Sequence, residues 1–169
     1  MKLLRVAAIT LPYLLIAPFT GPASAQTKPL KDQVIGAWSL VSVTVEGGPA
    51  KVEPYGPAPK GAMFLDANGR FSIMIMRAGL PKFAANNREK GTAEENAAVV
   101  GGSIAYFGSY TVNEIEKSVS VSIEGATFPN FDGQTQKRLL VFDGDQVAYV
   151  NPTPSGGGGT AKVLWKRVK

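Results

Sequence analysis

The segments Gly61-Ala62-Met63-Phe64-Leu65 and Arg70-Phe71-Ser72-Ile73-Met74-Ile75-Met76-Arg77 flank the tetrapeptide Asp66-Ala67-Asn68-Gly69. Phe71, Ile73 and Ile75 recur every second residue, which is the period of a half-buried strand. Asn68-Gly69 supplies the positive-φ positions that a tight turn between two such strands requires. The stretch is therefore an antiparallel hairpin, and the chain keeps its rhythm on both sides. One strand precedes it, Ala37 to Glu46, with Trp38, Leu40, Ser42 and Thr44 on one face and Val41, Val43 and Val45 on the other; Gly47-Gly48-Pro49 ends it. Five follow it, at Ile104 to Val112, Ser118 to Glu124, Gln134 to Phe142, Gln146 to Val150 and Thr160 to Val168.

Residues 78 to 103 interrupt this pattern. Thr92 followed by Glu95 is a capping box, in which the hydroxyl accepts from the Glu95 backbone N–H and the carboxylate reaches back to that of Thr92. The helix it opens runs to about Val100 and stops at Gly101-Gly102. The order predicts an all-β domain, an eight-stranded antiparallel up-and-down β-barrel with one short helix between the third and fourth strands. Closure removes both sheet edges and leaves an interior that side chains fill or that holds one small ligand. A two-sheet sandwich of the same strands is the competing arrangement.

Before the first strand, Lys2 and Arg5 precede an apolar run from Val6 to Phe19 that Pro12 and Pro18 break, and Ala23-Ser24-Ala25 follows. This is the pattern of an export signal over residues 1–25, cleaved before Gln26, which leaves residues 26–169 as one domain in the periplasm or outside the cell with no stable membrane insertion. An uncleaved anchor or a buried first helix is the other reading of the run. The whole chain carries 18 Lys and Arg against 13 Asp and Glu, and without Lys2 and Arg5 the excess falls to three. Such a balance does not predict a nucleic-acid partner. Cysteine and histidine are both missing from the sequence, which excludes disulfides, thiolate nucleophiles, Cys/His zinc sites, Ser-His-Asp triads and His-ligated haem. Neither a metal nor a cofactor is expected. Gly156 to Gly159 lacks the following Lys-Ser/Thr of a phosphate loop.

Several ordered segments carry a resemblance. They are Ile35-Gly36-Ala37-Trp38-Ser39-Leu40-Val41-Ser42, Tyr55-Gly56-Pro57, Gly69-Arg70-Phe71-Ser72, Pro81-Lys82-Phe83, Gly91-Thr92-Ala93-Glu94-Glu95-Asn96, Ile104-Ala105-Tyr106-Phe107-Gly108-Ser109-Tyr110, Phe128-Pro129-Asn130, Arg138 and Leu164-Trp165-Lys166-Arg167-Val168. Together they resemble the bacterial and fungal lipocalin-like domain proteins, small relatives of the calycin barrels. The resemblance implies a closed barrel with an internal cavity. It also implies that Trp38 closes the narrow end with Arg167 packed across its ring, a structural pair.

Candidate site residues follow from strand phase and from the resemblance. Arg77, in phase with Ile75, is expected inside the barrel near one mouth, where its guanidinium would hold an anionic head group or pair with an inward Glu124. Glu124 is also the one weak candidate for acid–base chemistry. Tyr106 and Tyr110 share a face on which Gly108 leaves room for a ligand, or else they are core. Tyr55 and Phe83 are read as overhanging the open end, and Arg138 as a ligand contact or a surface charge. Histidines common in the family near Val121 and Ser122 are missing here. The first functional reading is therefore binding of a small, mostly apolar or amphipathic molecule inside the barrel. A cofactor-free isomerase, cyclase or lyase in the same cavity is the second, and a filled barrel with a structural role the third.

Overall fold

The structure is a computed structural model that describes residues 28–47 and 50–169; the export signal expected at 1–25 lies outside them. Eight strands, β1 (Gly36–Glu46), β2 (Lys60–Leu65), β3 (Arg70–Met76), β4 (Ser103–Asn113), β5 (Ser118–Ala126), β6 (Thr135–Asp143), β7 (Gln146–Asn151) and β8 (Thr160–Arg167), form a closed antiparallel barrel in sequence order. β8 returns to β1 along the register Trp38↔Arg167 to Glu46↔Thr160, so neither terminal strand has a free edge. Turns at 66–69, 114–117 and 144–145 gather at one end. The longer connections, at residues 50–59, 77–102, 127–134 and 152–159, gather at the other.

The phase read for β1 holds only over its first half. A bulge between Leu40 and Ser42 leaves Val41 exposed and moves Val43 and Val45 to the inner face beside Trp38 and Leu40. An inserted residue shifts every later side chain by one face, which a strict period-two reading cannot register.

Helix α2 (Ala93–Gly102) carries the expected capping box, with the Thr92 hydroxyl accepting from the Glu95 N–H at 3.2 Å and the Glu95 carboxylate accepting from the Thr92 N–H at 2.9 Å. A second helix, α1 (Leu30–Val34), precedes β1 and buries Leu30 and Val34 at the end bearing the short turns. Five residues with two apolar positions are too few for a helical period to emerge from the sequence. Glu114, in the β4–β5 turn, holds the start of α1, where its carboxylate accepts from the backbone N–H groups of Leu30 and Lys31 at 2.8 Å each. Those two hydrogen bonds hold the Glu114 carboxyl below the ordinary glutamate range.

A depressed folded-state pKa stabilises the fold above the unfolded value, and that stability disappears as pH falls through the lower folded value. Glu114→Gln is accordingly expected to lower Tm at pH 7. The gap to wild type should close below about pH 4.3, the ordinary value of a free glutamate. Thermal melts of both proteins from neutral to acid pH check this; a gap that persists in acid contradicts it.

Candidate ligand-binding site

Strand alternation directs a continuous apolar surface into the barrel. Val43, Met63, Leu65, Phe71, Ile73, Ile75, Ile104, Val121, Ile123, Val147, Val163 and Trp165 are all buried. At the end bearing the short turns the interior is packed. Trp38 is 1% exposed and donates from Nε1 to the Val34 carbonyl at 3.0 Å. The Arg167 guanidinium lies 4.1 Å from the centre of the Trp38 ring and donates to the Ile35 carbonyl at 2.8 Å and to that of Gln33. Gly36 precedes this pair at φ +135°, and a Cβ there would stand 2.8 Å from an Arg167 nitrogen. The glycine before Trp38 therefore makes room for the arginine that covers it.

The opposite end is hollow. A cavity of about 610 Å³ opens there between α2, the 152–159 loop and the 127–131 segment. Val43, Val45, Ile75, Ile104, Ala161 and Val163 supply its aliphatic wall, and Tyr55, Phe128 and Phe131 add aromatic surface. Its base is made by Tyr106 and Tyr149, and a second space of about 40 Å³ lies on their far side, bounded by Phe71, Val121 and Arg138. Edge-to-face contacts run from Phe71 to Tyr106 at 5.9 Å, from Tyr106 to Phe131 at 5.9 Å and from Phe131 to Phe128 at 5.1 Å, which fixes the base against the wall. Burial pushes the Tyr106 phenol well above its ordinary value and raises that of Tyr149, while the nearby Arg138 charge pulls both the other way. Both phenols thus remain protonated at neutral pH, and the Tyr149 oxygen faces the Tyr106 hydroxyl.

The candidate residues separate. Tyr55, Tyr106 and Arg138 line the internal spaces. Tyr110 does not; it packs near the β2–β3 turn and donates to the Asp66 carbonyl at 2.6 Å. Phe83 packs on Gly91 at the approach to α2 and lies outside the cavity lining.

Arg77 is exposed rather than inside, because β3 ends at Met76 and the chain turns outward as the Arg77 N–H donates to the Gly102 carbonyl at 2.8 Å. Its guanidinium donates to the Pro54 carbonyl at 2.9 Å. Glu124 does not meet Arg77. The alternation that sends Val121 and Ile123 inward sends Glu124 outward, where it forms a two-pronged pair with Arg70 that holds its carboxyl below the usual range. It has no access to the cavity and so offers no acid or base there. Gly108 leaves no room for a ligand either, since a Cβ on it would fall 2.0 Å from the Ser122 carbonyl oxygen.

Sequence reasoning misses Tyr149 and Phe131. The alternation of Val147 with Tyr149 in β7 is the available signal for the first. Phe131 gives none, because it sits in a one-turn helix, Pro129–Phe131, with no strand phase.

A model of the lipocalin-like domain matches residues 35–168. The chain belongs to that family. Among relatives of this lipocalin-like protein, a 4'-hydroxy-3'-methoxypropiophenone carrier protein of Aspergillus oryzae is 30% identical in an alignment 94 positions long that covers 51% of the chain and 85% of the relative. Among the described residues of the lipocalin-like chain, no helix is long and apolar enough to cross a membrane, and no group of three or more acidic side chains is placed to hold a metal ion.

Proposed function

We propose that this lipocalin-like protein is an exported carrier that takes up one small, largely apolar molecule in the cavity at its open end. The observation that carries this reading is the cavity itself. About 610 Å³ bounded by aliphatic side chains and floored by two phenols has the size and lining of a small-molecule site and is not the interior of a filled barrel. Burying apolar ligand surface there supplies about 2.5 kcal/mol per 100 Å². The relative named as a carrier of a small aryl ketone supports carriage over catalysis, and flat aromatic cargo suits walls that present Tyr55, Phe128 and Phe131. Export rests on the Lys2/Arg5, apolar-run and Ala23-Ser24-Ala25 pattern.

Fluorescence titration with N-phenyl-1-naphthylamine tests binding. Ala161 faces the cavity, so Ala161→Phe fills it from the wall, and the variant is expected to bind the dye at least tenfold more weakly, or about 1.4 kcal/mol. A wild-type protein with no saturable binding, or a folded Ala161→Phe that binds as tightly, would refute the carrier reading.

A further inference from the structure

Of the side chains that β6 sends inward, Arg138 is a full positive charge. It is 5% exposed and borders the inner space of about 40 Å³. Its guanidinium donates to the Lys137 carbonyl at 3.0 Å and to the Gln136 side-chain oxygen, and lies 5.7 Å from the centre of the Tyr149 ring. These partners satisfy hydrogen atoms but supply no counter-charge. None of the ion pairs among the described residues includes Arg138; all five lie on the exposed surface. A buried charge without an opposite charge is disfavoured unless something else neutralises it.

A second observation points to the same place. Trp165 is fully buried on the inner face of β8, and its indole N–H has no hydrogen-bond partner among the described residues, although the Tyr149 phenol lies near it. Native interiors rarely leave such a donor unmet without a ligand or water to meet it. The Tyr106 and Tyr149 phenols, the Trp165 N–H and the Arg138 guanidinium thus form one polar cluster, in which Tyr106 and Trp165 face the Tyr149 oxygen, with no carboxylate in it. The inner space also has a definite capacity. By the measure in which about 10–15 Å³ admits one water, it takes roughly three waters, so the bulk of a ligand stays in the large cavity.

We infer that Arg138, with Tyr106 and Tyr149, is the head-group site for a ligand that carries a single oxyanion, such as a carboxylate, on an aromatic or apolar body. The body occupies the large cavity and the oxyanion meets the Tyr106 and Tyr149 phenols at its base, with the Arg138 guanidinium behind them supplying the counter-charge. This deepens the carrier reading and rests on it. It also moves anion recognition from Arg77, which is bonded to a loop at the rim, to an arginine inside the barrel.

Calorimetric titration of the full chain with two matched probes, 2-naphthoate and 2-naphthalenemethanol, separates the two ideas. Wild type is expected to bind the acid at least about tenfold more tightly than the alcohol, the scale of one charge-assisted hydrogen bond. In Arg138→Met that ratio should fall to about one, and in Tyr149→Phe, which keeps the ring, to an intermediate value. Equal affinities in wild type, or a preference that survives in a folded Arg138→Met, would overturn the head-group assignment and leave the carrier reading intact. Should Arg138→Met not fold, a Tyr149→Phe protein with the full wild-type preference would overturn it instead. If neither probe binds a wild type that does bind N-phenyl-1-naphthylamine, the head-group assignment fails and the carrier reading stands; if the dye does not bind either, the carrier reading itself fails.

Discussion

Trp38→Ala is expected to cost about 3–5 kcal/mol of unfolding free energy, the usual range for deleting a buried large aromatic side chain. The value should not fall at the low end, because the indole makes three separate kinds of contact at once. Its Nε1 holds the end of α1 through the Val34 carbonyl, its face carries the Arg167 guanidinium, and Phe142 of β6 meets it edge-on at 6.1 Å. The packed end around it already contains a small space, so a truncated side chain would enlarge a void rather than let the walls collapse. Trp38→Phe should recover part of the loss through ring packing while forfeiting the Val34 hydrogen bond. Urea denaturation measures both. Because the large cavity lies at the other end of the barrel, dye binding by the folded fraction should persist in Trp38→Ala. An unchanged unfolding free energy with binding abolished would instead make Trp38 a ligand contact.

The sequence announces the barrel through features that act locally. Strand period, the turn at 66–69 and the Thr92/Glu95 box each depend on residues within one turn or one hairpin of each other, and each is found where local chemistry puts it, although in the turn Gly69 takes a positive φ and Asn68 does not. What the sequence conceals depends on counting across the sheet. The bulge at Val41 reverses the faces of half of β1, so Val43 and Val45 are cavity wall although strict alternation sets them opposite Trp38. For Arg77, strand phase is followed one residue too far, since β3 has already ended. Glu124 is a different case, because its phase relative to Val121 and Ile123 is visible and points outward; the appeal of pairing it with Arg77 overrides that signal. Arg138 is visible only as a charge between Lys137 and Leu139. Its burial arises because β6 pairs with β5 through Leu139 and with β7 from Leu140 onward, bringing Tyr149 beneath the guanidinium, a relation between strands that no window of sequence contains.

Gly108→Ala is the second large effect, and its sign alone is informative. Glycine within a strand is about 0.5–1 kcal/mol less favourable than alanine, so where space is open the change should stabilise. At Gly108 it should destabilise by about 3 kcal/mol or more, at or beyond the upper end for overpacking. The new Cβ would lie 2.0 Å from the Ser122 carbonyl oxygen and 3.1 Å from the Glu124 nitrogen, both backbone atoms of β5 that no rotamer change can move. Relief requires β4 and β5 to separate where their register already shifts, between Phe107 and Gly108. Gly79 provides the control, since a Cβ added there would meet nothing within 4 Å and its φ is not positive, and Gly79→Ala should be neutral or stabilising by up to about 1 kcal/mol. Paired chemical denaturation curves decide the matter. Separation of β4 from β5 would also tilt Tyr106, which stands two residues from Gly108 and floors the cavity, so the folded fraction of Gly108→Ala should bind N-phenyl-1-naphthylamine more weakly than wild type. A Gly108→Ala protein as stable as Gly79→Ala would mean that β4 and β5 are not as close at this point as the barrel requires.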